Sequence, residues 1–191
     1  MPLGSNGRTA EVARGVRVEI IEGPSAGAKP DRHCVGIRVV TPFRGMFAVR
    51  DELMEELYGW LDERGVDFGH TFFRLHVVDM AGSMDVEVGV VTEKPVEGDG
   101  RVSSGVLPAG RYATLTYVNH ARRANRALIE WVRGQGLTFD CVENPAGDRF
   151  GCRYEAYLTD PRSERMKTRW RVELAIRLAD GPSRESPGEP S

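Results

Sequence analysis

Apolar and polar positions along the chain follow two periods. Over 51–64, Leu53, Leu57, Trp60 and Leu61 recur at the three- and four-residue steps that line one stripe of a helix. Residues 121–133 repeat the arrangement with Ala124, Leu128, Trp131 and Val132. Gly65 and Gly136 stand just past these stretches, where a helix closes through a left-handed residue, and Asn119 is placed to cap the second helix. Elsewhere the period falls to two. It predicts strands over 33–41, 71–78, 84–91, 111–118, 152–158 and 170–178, with one more at 16–21 that pairs across the halves.

A shift of 71 positions superimposes the two helical regions without a gap. Leu57 meets Leu128, Trp60 meets Trp131, Gly65 meets Gly136 and Phe68 meets Phe139. The flanking strands repeat in the same order, and Asp79 and Asp160 end corresponding runs. The chain is therefore expected to be α+β, with two strand-helix-strand-strand halves, about 16–94 and 106–179, forming antiparallel sheets with helices on one face and a central ligand cleft. A Pro/Gly/Ser linker is expected over 94–105 and a long loop over 140–151. Residues 1–15 and 180–191 lack apolar payload and are expected to be flexible.

The alternation also assigns faces. Val172, Leu174, Ile176 and Leu178 form one core set, and Val86, Val88 and Val90 another. On 152–158 the more apolar set is Tyr154, Ala156 and Leu158, which places Glu155 and Tyr157 on the uncovered side. That side then gathers Glu87, Glu155, Glu173, Tyr112, Tyr157, Arg74 and His76. Two readings fit: a solvated sheet face, or a cleft suited to flat apolar ligands, cationic ones above all.

Composition narrows the chemistry. The chain is 40% hydrophobic and 28% charged with a formal net charge of −2, which excludes collagen-like and disordered classes and offers no global field for nucleic acid. Cys34, Cys141 and Cys152 show no CxxC spacing, and the four histidines form no ligand pair, so no metal is expected. No secretory signal or membrane-spanning run is visible, and a cytoplasmic protein is expected. The absence of GxSxG, P-loop and GxGxxG patterns leaves acyl-transfer and nucleotide chemistry without support, and no cofactor is expected.

Three stretches carry a family likeness: GIRVVTPFRGMF at 36–47, PAGRYATLTYVNH at 108–120, and CRYEAYLTDP at 152–161 followed by WRVELAIRL at 170–178. Together they resemble the GyrI-like effector-binding superfamily over about 16–178. The resemblance implies two pseudo-symmetric halves around a ligand cleft, with Glu155 as the acidic anchor for a cationic drug and Glu173 and Glu87 in related places. It implies a stand-alone binder of hydrophobic, aromatic or cationic small molecules that protects against a toxic compound. An alternative is a hydrolase adding water to a strained electrophilic ring, with Glu155 or Glu173 as base and Tyr157 or Tyr112 as hydrogen-bond donor. A gyrase-modulating protein is a further alternative. The few residues before position 16 leave no room for a DNA-binding domain, so DNA is not an expected partner.

Overall fold

A computed structural model describes residues 19–181. The expectations for 1–15 and for 182–191 lie outside the described residues. In chain order the elements are β1 (Glu19–Lys29), β2 (Arg32–Pro42), α1 (Met46–Arg64), β3 (Thr71–Val78), β4 (Ser83–Val91), β5 (Val102–Leu107), β6 (Gly110–Val118), α2 (Ala121–Gly134), β7 (Cys141–Val142), β8 (Asp148–Phe150), β9 (Arg153–Tyr157) and β10 (Arg171–Arg177). The strands form one continuous sheet in the order β1-β6-β10-β9-β3-β4-β2-β5, with β8 joined to β3 and β7 to β8. The halves β6-β10-β9 and β2-β4-β3 mirror one another across the antiparallel β9–β3 pair.

Two short crossovers dictate the sheet's shape. Lys29 ends β1 and Arg32 begins β2, so three residues of chain, about 11 Å at full stretch, link strands six neighbours apart. In a flat sheet that separation would be about 29 Å. Leu107 and Gly110 make the equivalent step from β5 to β6. The sheet must therefore curl until its two ends meet. Asp31 Oδ1 accepts the Ala109 N–H at 2.5 Å and ties one crossover to the other.

Curling folds one face of the sheet onto itself. Inside it lies a small second core of Cys34, Phe72, Leu107, Tyr112, Cys152, Tyr154, Ala156 and Ala175. Tyr154 packs edge-on against both Phe72 and Tyr112, with ring centroids 6.3 and 6.1 Å away. The other face carries the main core. There α1 lies over β2 and β4, and α2 over β6 and β1. Leu57, Leu61, Leu128 and Val132 bury against Val35, Val86, Val88, Leu115 and Leu174.

The repeat is visible bond for bond. Gly65 and Gly136 both adopt left-handed conformations, φ 60° and 64°. Val66 N–H reaches Leu61 O, and Leu137 N–H reaches Val132 O, each at 3.1 Å. These are the two ends of one closing motif, 71 residues apart.

Several local expectations are corrected. Helix α1 begins at Met46 rather than 51, because Met46 and Arg50 continue its buried stripe, and a charged residue in that stripe masked the period. Asn119 does not cap α2. Its Oδ1 accepts its neighbour's N–H at 2.9 Å, and the chain enters the helix through Asn119 and His120, both left-handed. The expected linker contains β5, paired with β2, and the expected long loop contains β7 and β8. Strand β1 runs on to Lys29 through Gly23, Pro24 and Gly27, residues that an edge strand tolerates. It pairs with β6 of the other half. Among the described residues no helix is long and apolar enough to cross a membrane.

Two glycines probe this packing. A Cβ on Gly89 would lie 2.3 Å from the ring of fully buried Phe72, whereas one on Gly59, exposed on α1, would meet nothing. Gly89→Ala is expected to destabilise by about 1–3 kcal/mol through overpacking. Gly59→Ala is expected to stabilise by about 1 kcal/mol through helix propensity. Urea denaturation of both variants checks the pair; equal and small effects would contradict the close packing of Phe72 on the Gly89 backbone.

Candidate functional site

Because the sheet curls away from the helices, the helices splay, with α1 packed chiefly over β2 and β4 and α2 over β6 and β1. The gap at the junction of the halves is a cavity of about 780 Å³. Phe43, Met46 and Phe47 around the start of α1, with Leu75, Met80 and Met84 from β3 and β4 and the turn between them, make one wall apolar. The opposite wall is α2, through Arg122, Asn125, Arg126, Ile129 and Arg133. Arg153 and Glu155 of β9 line its floor beside Phe73.

Register fixes Glu155 there. It stands directly opposite Leu174 on β10 and Phe73 on β3, and partners directly across an antiparallel pair share a face. Its side chain is half-buried and borders the cavity. Tyr117 Oη donates to Glu155 Oε1 at 3.2 Å, and Asn125 adds a second hydrogen bond. Burial pushes the carboxyl above its ordinary value, against the opposing pull of the Tyr117 hydrogen bond and the Arg50 charge. Asn125 also accepts from Arg153 Nη2 at 2.8 Å, so one amide joins the acid to the guanidinium.

Beneath α1 lies Arg50, 7% exposed. Its guanidinium is 5.1–6.0 Å from the ring centres of Phe47, Phe73, Tyr157 and Trp170, and it donates to Tyr157 Oη at 3.3 Å. Asp51 pairs with it at 2.8 Å and also receives Lys167. Burial opposes ionisation of Asp51, but hydrogen bonds from Lys167 and Arg50 prevail and hold the carboxyl below its usual range.

The expected site residues divide between the two faces. Glu155 and Tyr157 lie on the helix face, Glu155 at the cavity floor and Tyr157 buried under Arg50. Glu87, Arg74, Tyr112 and Glu173 lie on the opposite, curled face. There Glu87 meets His76 Nε2 at 2.7 Å, and Glu173 meets Lys29 at 2.8 Å. Arg74 donates to the Val106 and Gly151 carbonyls, and Tyr112 to that of Pro108. The expectation that all seven, His76 included, share one uncovered face is thus corrected. On β9 both faces are covered, so the more apolar set, Tyr154 and Ala156, belongs to the inner core and not under the helices. Sequence reasoning missed Arg50, Tyr117, Asn125 and Arg153. The only available signal was positional: Arg50 and Asn125 continue helical stripes, and Tyr117 belongs to the core set of its strand.

Similarity to known proteins bears on this arrangement. No curated protein matches the chain. Among solved structures it is similar to the EcmrR C-terminal domain, with TM-score 0.64 and 16% identity, covering 85% of this chain and 100% of that one. Against EcmrR in its DNA complex the TM-score is 0.65 with 17% identity, and 81% of this chain is covered but only 56% of that one. A hydrolase from Listeria innocua gives TM-score 0.55 at 12% identity over 83% and 92% of the two chains. SAV2435 bound to tetraphenylphosphonium gives 0.52 at 12% identity over 82% and 93%. At these identities the likeness is one of fold. The sequence profile of the GyrI-like small molecule binding domain matches residues 28–179, nearly the whole described unit from the end of β1 to just past β10, and the chain therefore belongs to the GyrI-like small-molecule-binding family.

Proposed function

We propose that the protein binds a flat, apolar, aromatic small molecule in the cleft between α1 and α2, with a cationic or hydrogen-donating end of the ligand at Glu155, and that it acts by sequestering a toxic compound. The observation that carries this reading is a carboxylate at the floor of a largely apolar cavity whose hydrogen-bond partners, Tyr117 and Asn125, are neutral. Such a group is costly to keep unless something uses it. The tetraphenylphosphonium held by SAV2435, a protein of similar fold, shares the aromatic and cationic character of such a ligand, though not its flatness, and supports the choice.

A hydrolase is a second reading, favoured by one contact. Tyr117 Oη lies 3.2 Å from a carboxylate whose proton affinity burial raises, so a hydroxyl donor buried behind the cavity wall is paired with an acid-base group that borders the cavity. In this version Tyr117 takes the donor role that sequence reasoning gave to Tyr157 or Tyr112.

Glu155 links binding to pH. A cation favours the ionised carboxylate, so affinity for tetraphenylphosphonium is expected to be full above the elevated Glu155 value and to fall as pH drops through it. Glu155→Gln is expected to weaken binding at least tenfold and to flatten this dependence, read by calorimetric titration across pH. A raised value in the folded state also means that stability is fullest below the ordinary carboxylate value and is lost as pH rises through the folded one. Glu155→Gln should therefore raise the melting temperature at neutral pH, by about 2–4 °C for each kcal/mol recovered, with the gain vanishing below about pH 4. A variant that binds like the original would remove Glu155 from the site. Incubation with a strained-ring alkylating agent, followed by mass measurement, separates the two readings: a gain of one water that disappears in Glu155→Gln supports hydrolysis, and unaltered bound compound supports sequestration.

A further inference from the structure

The cleft is electrostatically lopsided. Its α1 wall is apolar, with Phe47 and Met80, 51% and 57% exposed, at the mouth. Its α2 wall is basic. Arg122, Arg126 and Arg133 fall on one stripe at helical spacing, against the single acid Glu130, and all line the cavity. None of the three arginine side chains has a hydrogen bond or an ion pair among the described residues. A chain of net charge −2 has thus concentrated unpaired positive charge along one side of its cavity.

The floor continues the theme. Arg153 stacks 4.9 Å from the Phe150 ring and donates to Asn125, but its buried Nε has no partner. A buried guanidinium N–H left without an acceptor costs free energy that an incoming acceptor recovers. Burial also lowers the proton affinity of Arg153, against the opposing charges of Glu155 and Asp148.

A purely cationic ligand must pass Arg122 and Arg126 within a Debye length, where like charges repel. A ligand with an acidic group gains charge-assisted hydrogen bonds in the same place. We infer that the cleft takes a two-ended ligand: an aromatic body against the α1 wall, a cationic or N–H-bearing end at Glu155, and a carboxylate, sulfonate or phosphate held by Arg122 and Arg126 of α2, with Arg153 of β9 beneath. This rests on the cleft being the binding site, as proposed above, and adds the acidic substituent and the helix that selects it.

The test uses two fluorescent compounds with the same rings, anilinonaphthalene sulfonate and its sulfonate-free parent N-phenylnaphthylamine, titrated into the full chain at low and high salt. The sulfonate is expected to bind about tenfold more tightly at low salt, to lose that advantage as salt rises, and to compete with the parent for one site. In the double variant Arg122→Gln/Arg126→Gln the preference should fall to near unity, and tetraphenylphosphonium should bind several-fold more tightly. Both positions are exposed on α2, so folding, checked by circular dichroism, is expected to survive. Equal affinity for the two compounds in the original chain, a preference that persists in the double variant, or failure to compete would overturn the acidic-end assignment while leaving an apolar cleft in place. Failure of both compounds to bind at all would overturn the cleft reading and this inference together.

Discussion

Two steps of chain, Lys29 to Arg32 and Leu107 to Gly110, are too short to join the strands they join across a flat sheet, and the rest of the molecule follows from that. The sheet has to curl. Curling gives it an inner face that fills with Phe72, Tyr112 and Tyr154, and an outer face on which two helices diverge. The divergence leaves a gap between the helices above the central strands where the halves meet. In this family fold the cleft is thus the space that two βαββ units fail to fill when they join edge to edge, and it needs no dedicated loop or lid.

What lines the space is a compromise between stability and use. The charged groups set deepest, Arg50 and Glu155, are treated differently. Arg50 is supplied with Asp51, a phenol oxygen and four aromatic faces, which make it a structural pillar under α1. Glu155 is given a phenol and an amide for hydrogen bonds, with the Arg50 and Arg153 charges nearby but no direct ion pair among the described residues. That difference in compensation leaves the free protein carrying a raised carboxyl at the edge of the cavity.

The overall plan was legible from the pattern because it rests on local rules. The helical stripes around Leu57 and Leu128, the closing glycines 65 and 136, and the alternation of Val86, Val88 and Val90 each act within a few residues, so the duplicated strand-helix-strand-strand order and the α+β class could be read directly. Strands β5 and β1 were harder, since Ser103, Ser104 and Gly105 in one and Gly23, Pro24 and Gly27 in the other look like linker, and only pairing with β2 and β6 makes them strands.

Which residues share the site was a different question. Alternation says that Glu155 and Ala156 point opposite ways, but not which way is toward the helices, and on β9 the usual guide of apolarity fails because both sides are covered. The amino-acid sequence by itself determined the elements, their duplication and the family likeness, all consequences of short-range periodicity. The tertiary structure alone decided that Glu155 stands in the cleft with Asn125 and Arg153, backed by the buried Tyr117, while Glu173, Glu87, Arg74 and Tyr112 lie behind the sheet. Strand register and the curl of the sheet set that division, and both arise from contacts between residues far apart in the chain.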